Sequence, residues 1–459
     1  MMGPRQVAQG ALFYEFTIED HVPPDHLLRL IDRFVDLSDM RRHLAPFYST
    51  TGRPSVDPEL MLRMLIIGYA MGIRSERRLC EEVHLNLAYR WFCRLDLTNP
   101  VPDHSTFSKN RHGRFRESDL FRQLYESVVA RCITEGLVGG QTFAADASLI
   151  HADANKQYAA PKADWDPDQI DADAAPRAVR EYLDVLDDAA FGAASEVQPK
   201  FTSFADPASQ WTGAMKGPAF FAYSDNYLID TDHGVIVDVE ASRSIRSAEA
   251  GVTQTMIDRT EDRFELTPKR LATDTAYGSG GMLGWLDACQ IEPHIPVIDE
   301  TGRQDGTFSQ ADFHYDPEAD EYVCPGGKRL KKYWRKMRVP RTGICKDGFR
   351  RYYARQADCA SCALKAKCSP SQPRRKIARH QFEDARNRAR EIATTDAYID
   401  SQRRRKKVEM LFAHLKRILK LDRLRLRGPN GARDEFLLAA TAQNLRKLAK
   451  LIPNTQATA

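Results

Sequence analysis

At Gln141 the hydrophobic pattern of the chain changes period, and that change limits the folds open to it. Residues 23–135 carry apolar positions at helical spacing. Beyond the change, 142–150 (TFAADASLI), 220–229 (FFAYSDNYLI) and 235–241 (VIVDVEA) read as strands, with Asp232-His233-Gly234 as the turn joining the last two. A helix over 248–264, a short strand over 270–274, a helix over 280–289 and a strand over 292–297 follow. The expected class is mixed α/β, with strand and helix order βββ, α, β, α, β behind an all-helical N-terminal region. A mixed sheet built in this order can set its first and fourth strands side by side.

With 459 residues the chain exceeds one ordinary core, so two or three units are expected. Two segments interrupt the sheet pattern. Residues 155–217 form an acidic insertion holding Asp164, Asp166, Asp168, Asp171 and Asp173, read as solvated and partly helical. Residues 301–373 hold most of the cysteines. The organisation that follows is a helical domain over 1–135, the first part of the sheet core over 136–300, the cysteine-rich insertion over 301–373, helices completing the core over 374–450, and a disordered tail over 451–459. No repeat of solenoid type is present.

In the N-terminal region Asp57 and Pro58 mark a helix start, 74–94 reads as a second helix, and Asp103 or Ser105 caps a basic helix over 107–116 (FSKNRHGRFR). Short helices ending in a basic one suit DNA docking. The hydrophobic fraction of 42% is globular, and the net charge of +4 is small for this length. Any affinity for nucleic acid must therefore come from local clusters: 403–427, 328–338 with Tyr333 and Trp334 embedded, and 374–379. No apolar run approaches the roughly 20 residues of a membrane span, and no signal-peptide pattern opens the chain, so a cytosolic protein without membrane partners is expected. Nine cysteines then argue for thiols or metal ligands over disulfides.

Within the basic run at 402–428 sits one acid, Glu409. Val408, Leu411, Phe412, Leu415, Ile418 and Leu419 form an apolar stripe, and Arg405, Glu409 and Lys416 fall along one flank of it. The plain reading is a surface ion pair. The sharper one is a carboxylate facing a cleft, where it helps hold a divalent cation. Asp146 in the first strand and Asp274 at the end of the fourth are the other candidates. Oxygen ligands suit Mg²⁺ or Mn²⁺, and two such ions roughly 3.5 to 4 Å apart serve in-line displacement at phosphorus. Neighbouring cations would position the phosphodiester backbone.

FAADASLIHADAN, LATDTAYGS and the Arg405, Glu409, Lys416 trio resemble the bacterial insertion-sequence transposases with an RNase H-like DDE catalytic core, over nearly the whole chain. The sequence departs from that pattern at Gln402, where some of these transposases have tyrosine, and at Ala147, where glycine is frequent. The resemblance implies catalysis by Asp146, Asp274 and Glu409 through Mg²⁺ or Mn²⁺, and cleavage and strand transfer at terminal inverted repeats. It implies DNA contacts by Arg403, Arg404, Arg405, Lys416 and Tyr277, and a homo-oligomer on double-stranded DNA in the bacterial nucleoid. Asp153, Asp238 and Glu249 are alternative acids, and His151 reads as a satisfied polar residue.

Cys359-x-x-Cys362, Cys368 and Cys324-Pro-Gly-Gly-Lys offer four thiolates for a structural Zn²⁺, with Cys345 an alternative ligand. Cys80, Cys93, Cys132 and Cys289 read as small core residues. No phosphate-binding G-x-x-x-x-G-K-[ST] loop and no G-x-S-x-G elbow occur. Two rivals stay open: a metal-dependent nuclease of the same fold without strand transfer, and a zinc-containing DNA-binding regulator with an inactive core.

Overall fold

The computed structural model describes residues 16–453 apart from 50, 53–54, 162–163, 187–189, 192–199, 214–216, 299–305, 336–337, 339–342 and 346–347. The part of the expected tail at 454–459 lies outside the described residues. In chain order the elements used below are helices α1 (Pro58–Ala70), α2 (Glu76–Leu85), α3 (Ser105–Arg111) and α4 (Leu120–Thr134), then strands β1 (Thr142–His151), β2 (Phe220–Asp230) and β3 (Val235–Arg243). They continue with α5 (Arg246–Phe264), β4 (Arg270–Ala272), α6 (Gly280–Ala288) and β5 (Glu292–His294). Short strands β6 (His314–Asp316), β7 (Glu321–Val323), β8 (Arg329–Leu330), β9 (Phe349–Tyr353) and β10 (Lys376–His380) precede α7 (Glu383–Ile392), α8 (Asp396–Arg417) and α9 (Pro429–Leu451). Two compact units divide the chain: Met1–Gly140, Ala144–Thr267 and Lys406–Ala459 form the first, and Gln141–Phe143 with Pro268–Arg405 the second.

In the first unit, α1 starts where Asp57 accepts the Glu59 N–H at 3.1 Å and Pro58 takes the first helical position, which has no intrahelical donor to lose. Nearly all of α1 is buried, as its almost unbroken apolar sequence requires. The long helix α9 is buried along most of its length and packs against β3, α4, α1 and the short helix Leu27–Asp32. Antiparallel pairing joins β2 to β3 through the Gly234 turn, and β1 is the other neighbour of β2. Behind β3 lies a buried ionic cluster. Asp238 receives Arg122 at 2.6 Å and Arg259 at 2.7 Å, while Glu240 receives Arg259 and Arg433, each at 2.9 Å.

In the second unit the start of β1 lies beside β4, where Arg270 N–H donates to Gln141 O at 3.1 Å, and β4 runs parallel to β5. The first and fourth strands of the sequence order are therefore neighbours. Further along, β6, β7 and β8 form an antiparallel sheet and β9 pairs with β10 around a small core of Phe313, Tyr322, Leu330, Tyr352, Ala354 and Ile377.

Three expectations change. The single helix over 74–94 is two, α2 and Leu87–Phe92, because the Asn86 side chain caps the second by accepting from Ala88 and Tyr89 N–H groups. The basic helix over 107–116 breaks after α3 at His112-Gly113. The acidic insertion is not wholly solvated. Its five named aspartates are exposed, but the helix Arg177–Asp184 buries Val179 and Tyr182, Ala159–Pro161 pairs with Phe201–Ser203, and buried Asp206 accepts the Tyr223 hydroxyl at 2.5 Å. No helix among the described residues is long and apolar enough to cross a membrane.

Candidate metal and DNA site

Asp146 sits in the middle of β1, half-buried where the strand passes from its buried first half to a more open second half, and its Oδ1 accepts the N–H of Ala147 at 2.8 Å. Asp274 follows β4 directly, is exposed, and caps the turn Thr275–Tyr277 by accepting the Ala276 N–H at 2.8 Å. That cap fixes the carboxyl at the carboxyl end of a parallel strand, where α/β sheets carry their ligands. Tyr277, expected to reach DNA, is only 2% exposed, because the turn aims its ring into the core of the second unit. Gly278 is required sterically: a Cβ there would run into the Pro296 carbonyl.

The helix α8 serves both units. In the second unit Gln402 donates to Thr273 O at 3.2 Å and His294 O at 2.7 Å, while Ser401 meets His294 Nδ1 at 2.8 Å. The helix is thereby fixed at the ends of β4 and β5, one residue from Asp274. Arg405 Nε–H donates to the Gln402 side-chain oxygen Oε1 at 3.3 Å, and exposed Arg404 pairs with Asp400 at 2.7 Å; Arg403 is also exposed.

In the first unit the apolar stripe of α8 is buried at Val408, Leu411, Phe412 and Leu415, followed by Leu419 beyond the helix end. Ile418 is a correction: it is 50% exposed, because the helix stops at Arg417 and its stripe stops with it. Phe412 stacks on Tyr227 of β2 with ring centroids 4.7 Å apart, and Lys407 donates to Thr231 O at 2.6 Å and Asp232 O at 2.8 Å. Glu409, on the flank of that stripe, is exposed. Lys416 is half-buried, not a freely projecting cation; burial pushes its ammonium pKa down, against the attraction of Asp225 and Asp422.

Asp225 is the residue that sequence reasoning passed over. It lies fully buried in β2, and burial pushes its pKa well up, against the Tyr227 hydroxyl and the Lys416 charge. A lone acid between Tyr223, Ser224 and Tyr227 gives no spacing signal.

Asp146 and Glu409 belong to the first unit and Asp274 to the second. Among the described residues no three His, Cys, Asp or Glu side chains stand in a metal-holding arrangement. The alternative acids have other work: Asp153 pairs with Arg423 at 3.2 Å and Arg427 at 2.9 Å, Asp238 belongs to the arginine cluster, and Glu249 accepts the Ser224 hydroxyl at 2.8 Å. His151 stacks on Phe220 at 3.8 Å between centroids.

In the second unit Cys324, Cys359, Cys362 and Cys368 line one cavity of about 30 Å³. The Cys324-Pro-Gly-Gly-Lys stretch folds into a tight turn, with Gly327 at φ +69° and the Lys328 N–H donating to the Cys324 sulfur at 3.3 Å. Burial, then the nearness of Cys359, Cys324 and Cys362, holds the Cys368 thiol up, while Arg375 opposes them. Cys345 is exposed. Of the expected core cysteines, Cys93 and Cys132 are buried and Cys80 partly so, but Cys289 is exposed because it ends α6 instead of lying inside it.

Two family comparisons match separate stretches. Transposase domain (DUF772) matches residues 16–113, and Transposase DDE domain matches residues 323–449, which include Glu409 and the cysteine cluster but neither aspartate. No curated protein and no solved structure matches the chain. A helical N-terminal transposase domain followed by a DDE domain carrying the glutamate helix places the chain among the insertion-sequence DDE transposases.

Proposed function

We propose that the chain cuts DNA at the ends of its element and joins the freed 3′-hydroxyls to a target, on a core of RNase H-like type with Asp146, Asp274 and Glu409 as the metal-holding carboxylates. The observation that carries this is the anchoring of α8. Gln402 ties the helix to the residue before Asp274, and Phe412 seats its later half on β2, the strand beside the one that carries Asp146.

Three carboxylates of this kind offer the oxygen donors that Mg²⁺ or Mn²⁺ takes, and the bound ions would polarise a water or 3′-hydroxyl and stabilise the leaving oxygen. The chain's own part is placement. The Asp274 carboxyl is fixed by its own turn, Asp146 by the strand ladder, and Glu409 by the buried stripe behind it. Exposed Arg403 and Arg404, with Arg405 held by Gln402, present donors to phosphate oxygens along the same helix.

The thiols of Cys324, Cys359, Cys362 and Cys368 fit a second, structural role. Their convergence on one small cavity and the N–H···S turn at Cys324 suit a closed Zn²⁺ site.

Asp146→Asn, Asp274→Asn and Glu409→Gln are each expected to lower Mg²⁺-dependent cleavage of end DNA by about a hundredfold or more, with DNA binding retained. Undiminished cleavage in any of the three removes that residue from the assignment. Supplying pre-cut ends and assaying for joined products distinguishes strand transfer from simple nuclease action.

A further inference from the structure

Apart from the carboxylates, one arginine-rich cavity of the first unit lies where α2 begins. It has a volume of about 300 Å³ and is walled by Arg74, Ser75 and Arg77 at the start of α2, by His104 and Arg111 around α3, and by Arg425 from the loop before α9. Four arginines face two carboxylates, since Arg74 pairs with Glu435 and Arg111 with Glu76.

Those pairs leave a surplus. The Arg74 and Arg111 side chains are only 7% and 6% exposed, yet the buried Nε–H of each has no hydrogen-bond partner among the described residues. Glu435 is already occupied twice over, because its Oε1 accepts the backbone N–H groups of Arg425 and Leu426, each at 2.7 Å. Arg77 and Arg425 are exposed at the rim. The cavity also opens at the first turn of a ten-residue helix, whose leading N–H groups point out of the helix and whose dipole favours an anion. Ser75 caps that turn by accepting the Arg78 N–H at 3.4 Å.

We propose that this cleft takes a phosphate of a bound DNA strand. The proposal rests on the transposase reading and deepens it, by giving the N-terminal domain a specific backbone contact. The cleft differs from a basic surface in that Arg74 and Arg111 are held at its wall by their pairs with Glu435 and Glu76, which presets their charge beside exposed Arg77 and Arg425 as a solvated lysine patch does not. It adds to the expectation of a basic docking helix, within which Arg111 is in its ion pair and Arg116 is engaged by Glu181 at 2.6 Å and Asp434 at 3.0 Å.

Ser75 provides the test, because aspartate and asparagine both cap helices as well as serine does. Ser75→Asp keeps the cap and puts a negative charge where the phosphate would sit; Ser75→Asn keeps the cap without the charge. Fluorescence anisotropy with a labelled end duplex, over a salt series, is expected to show Ser75→Asn binding like the unmodified chain. Ser75→Asp should bind about tenfold or more weakly, with a slope of log affinity against log salt smaller by about 0.9 for the lost phosphate. If Ser75→Asp fails to fold, Arg77→Gln combined with Arg425→Gln is read for the same loss of slope. Equal affinity and slope for Ser75→Asp and Ser75→Asn overturn the cleft while leaving the transposase reading intact, whereas an unmodified chain that binds no end DNA overturns both. Orthophosphate and a deoxynucleoside monophosphate are tested alone by thermal shift. Protection by either, lost in Ser75→Asp while duplex affinity is unchanged, identifies a small-anion site and also overturns the proposal.

Discussion

A glycine four residues after a metal-binding candidate looks like part of the chemistry, but Gly278 is explained by packing. Its backbone lies so close to the Pro296 carbonyl that an added methyl group has no space, and Ile298 N–H donates to its own carbonyl at 2.9 Å. Gly278→Ala is therefore expected to destabilise the protein by about 1–3 kcal/mol in urea unfolding. Gly281→Ala, with open space around its Cβ in α6, should be neutral or stabilising. A Gly278→Ala protein as stable as the unmodified one would mean that Asp274 is not fixed by this close approach. The Asp-x-x-Tyr-Gly pattern singled out this stretch in the sequence, but a motif does not say which of its residues touch a ligand, and Tyr277, expected to reach DNA, is buried. Tyr277 supports the turn from beneath.

Among elements, β1, β2 and β3 were legible almost to the residue, because turn residues bound each apolar run and Asp232-His233-Gly234 falls between β2 and β3, whereas β4 and β5 are shorter than expected and the two- to five-residue strands β6 to β10 carry too little pattern to read. Where an element was misjudged, a local side-chain contact had outweighed periodicity, as with Asn86 capping a new helix inside an unbroken apolar pattern. The charges on β3 were harder to read. VIVDVEA alternates like a half-solvated strand, yet Asp238 and Glu240 are buried against three arginines from α4, α5 and α9, partners that only the tertiary structure supplies. Burial alone would raise the Glu240 pKa, but the attraction of Arg433, Arg259 and Arg122 outweighs it and holds the carboxyl at about 2, below its ordinary 4.5. Because the folded value is the lower one, the stabilisation is present above pH 4.5 and is lost as the pH falls towards 2. It amounts to roughly 3 kcal/mol at about 1.4 kcal/mol per pKa unit. Glu240→Gln should thus be several kcal/mol less stable at pH 7, because three arginines lose a buried counter-charge. The gap in urea midpoint between the two proteins should narrow steadily from pH 5 to pH 3, and a gap independent of pH would refute the charge assignment.

At the scale of the molecule, the two units are held by different means. The first is a large apolar assembly around α9. The cysteine-bearing part of the second has a core of six buried residues under strands of two to five residues, too little apolar area to order so many loops without a cross-link. Its cysteines were legible as a cluster but not as a ligand set, since five thiols within one segment leave several sets of four. Cys324, Cys359, Cys362 and Cys368 line one cavity and Cys345 is exposed, which favours the first four as the set proposed for zinc. One zinc ion per chain is therefore expected by elemental analysis, retained in Cys345→Ser and lost in Cys362→Ser. Removing the metal with a chelator should open the segment between Phe308 and Arg375 to protease while α1, α4 and α9 stay resistant, because metal-ligand energy in a small core is folding energy for that core alone. If the chelated protein is cut no faster there, or if Cys345→Ser loses the metal and Cys362→Ser keeps it, the four-thiol site is wrong, and the small aromatic core around Tyr322 and Tyr352 must stand unaided.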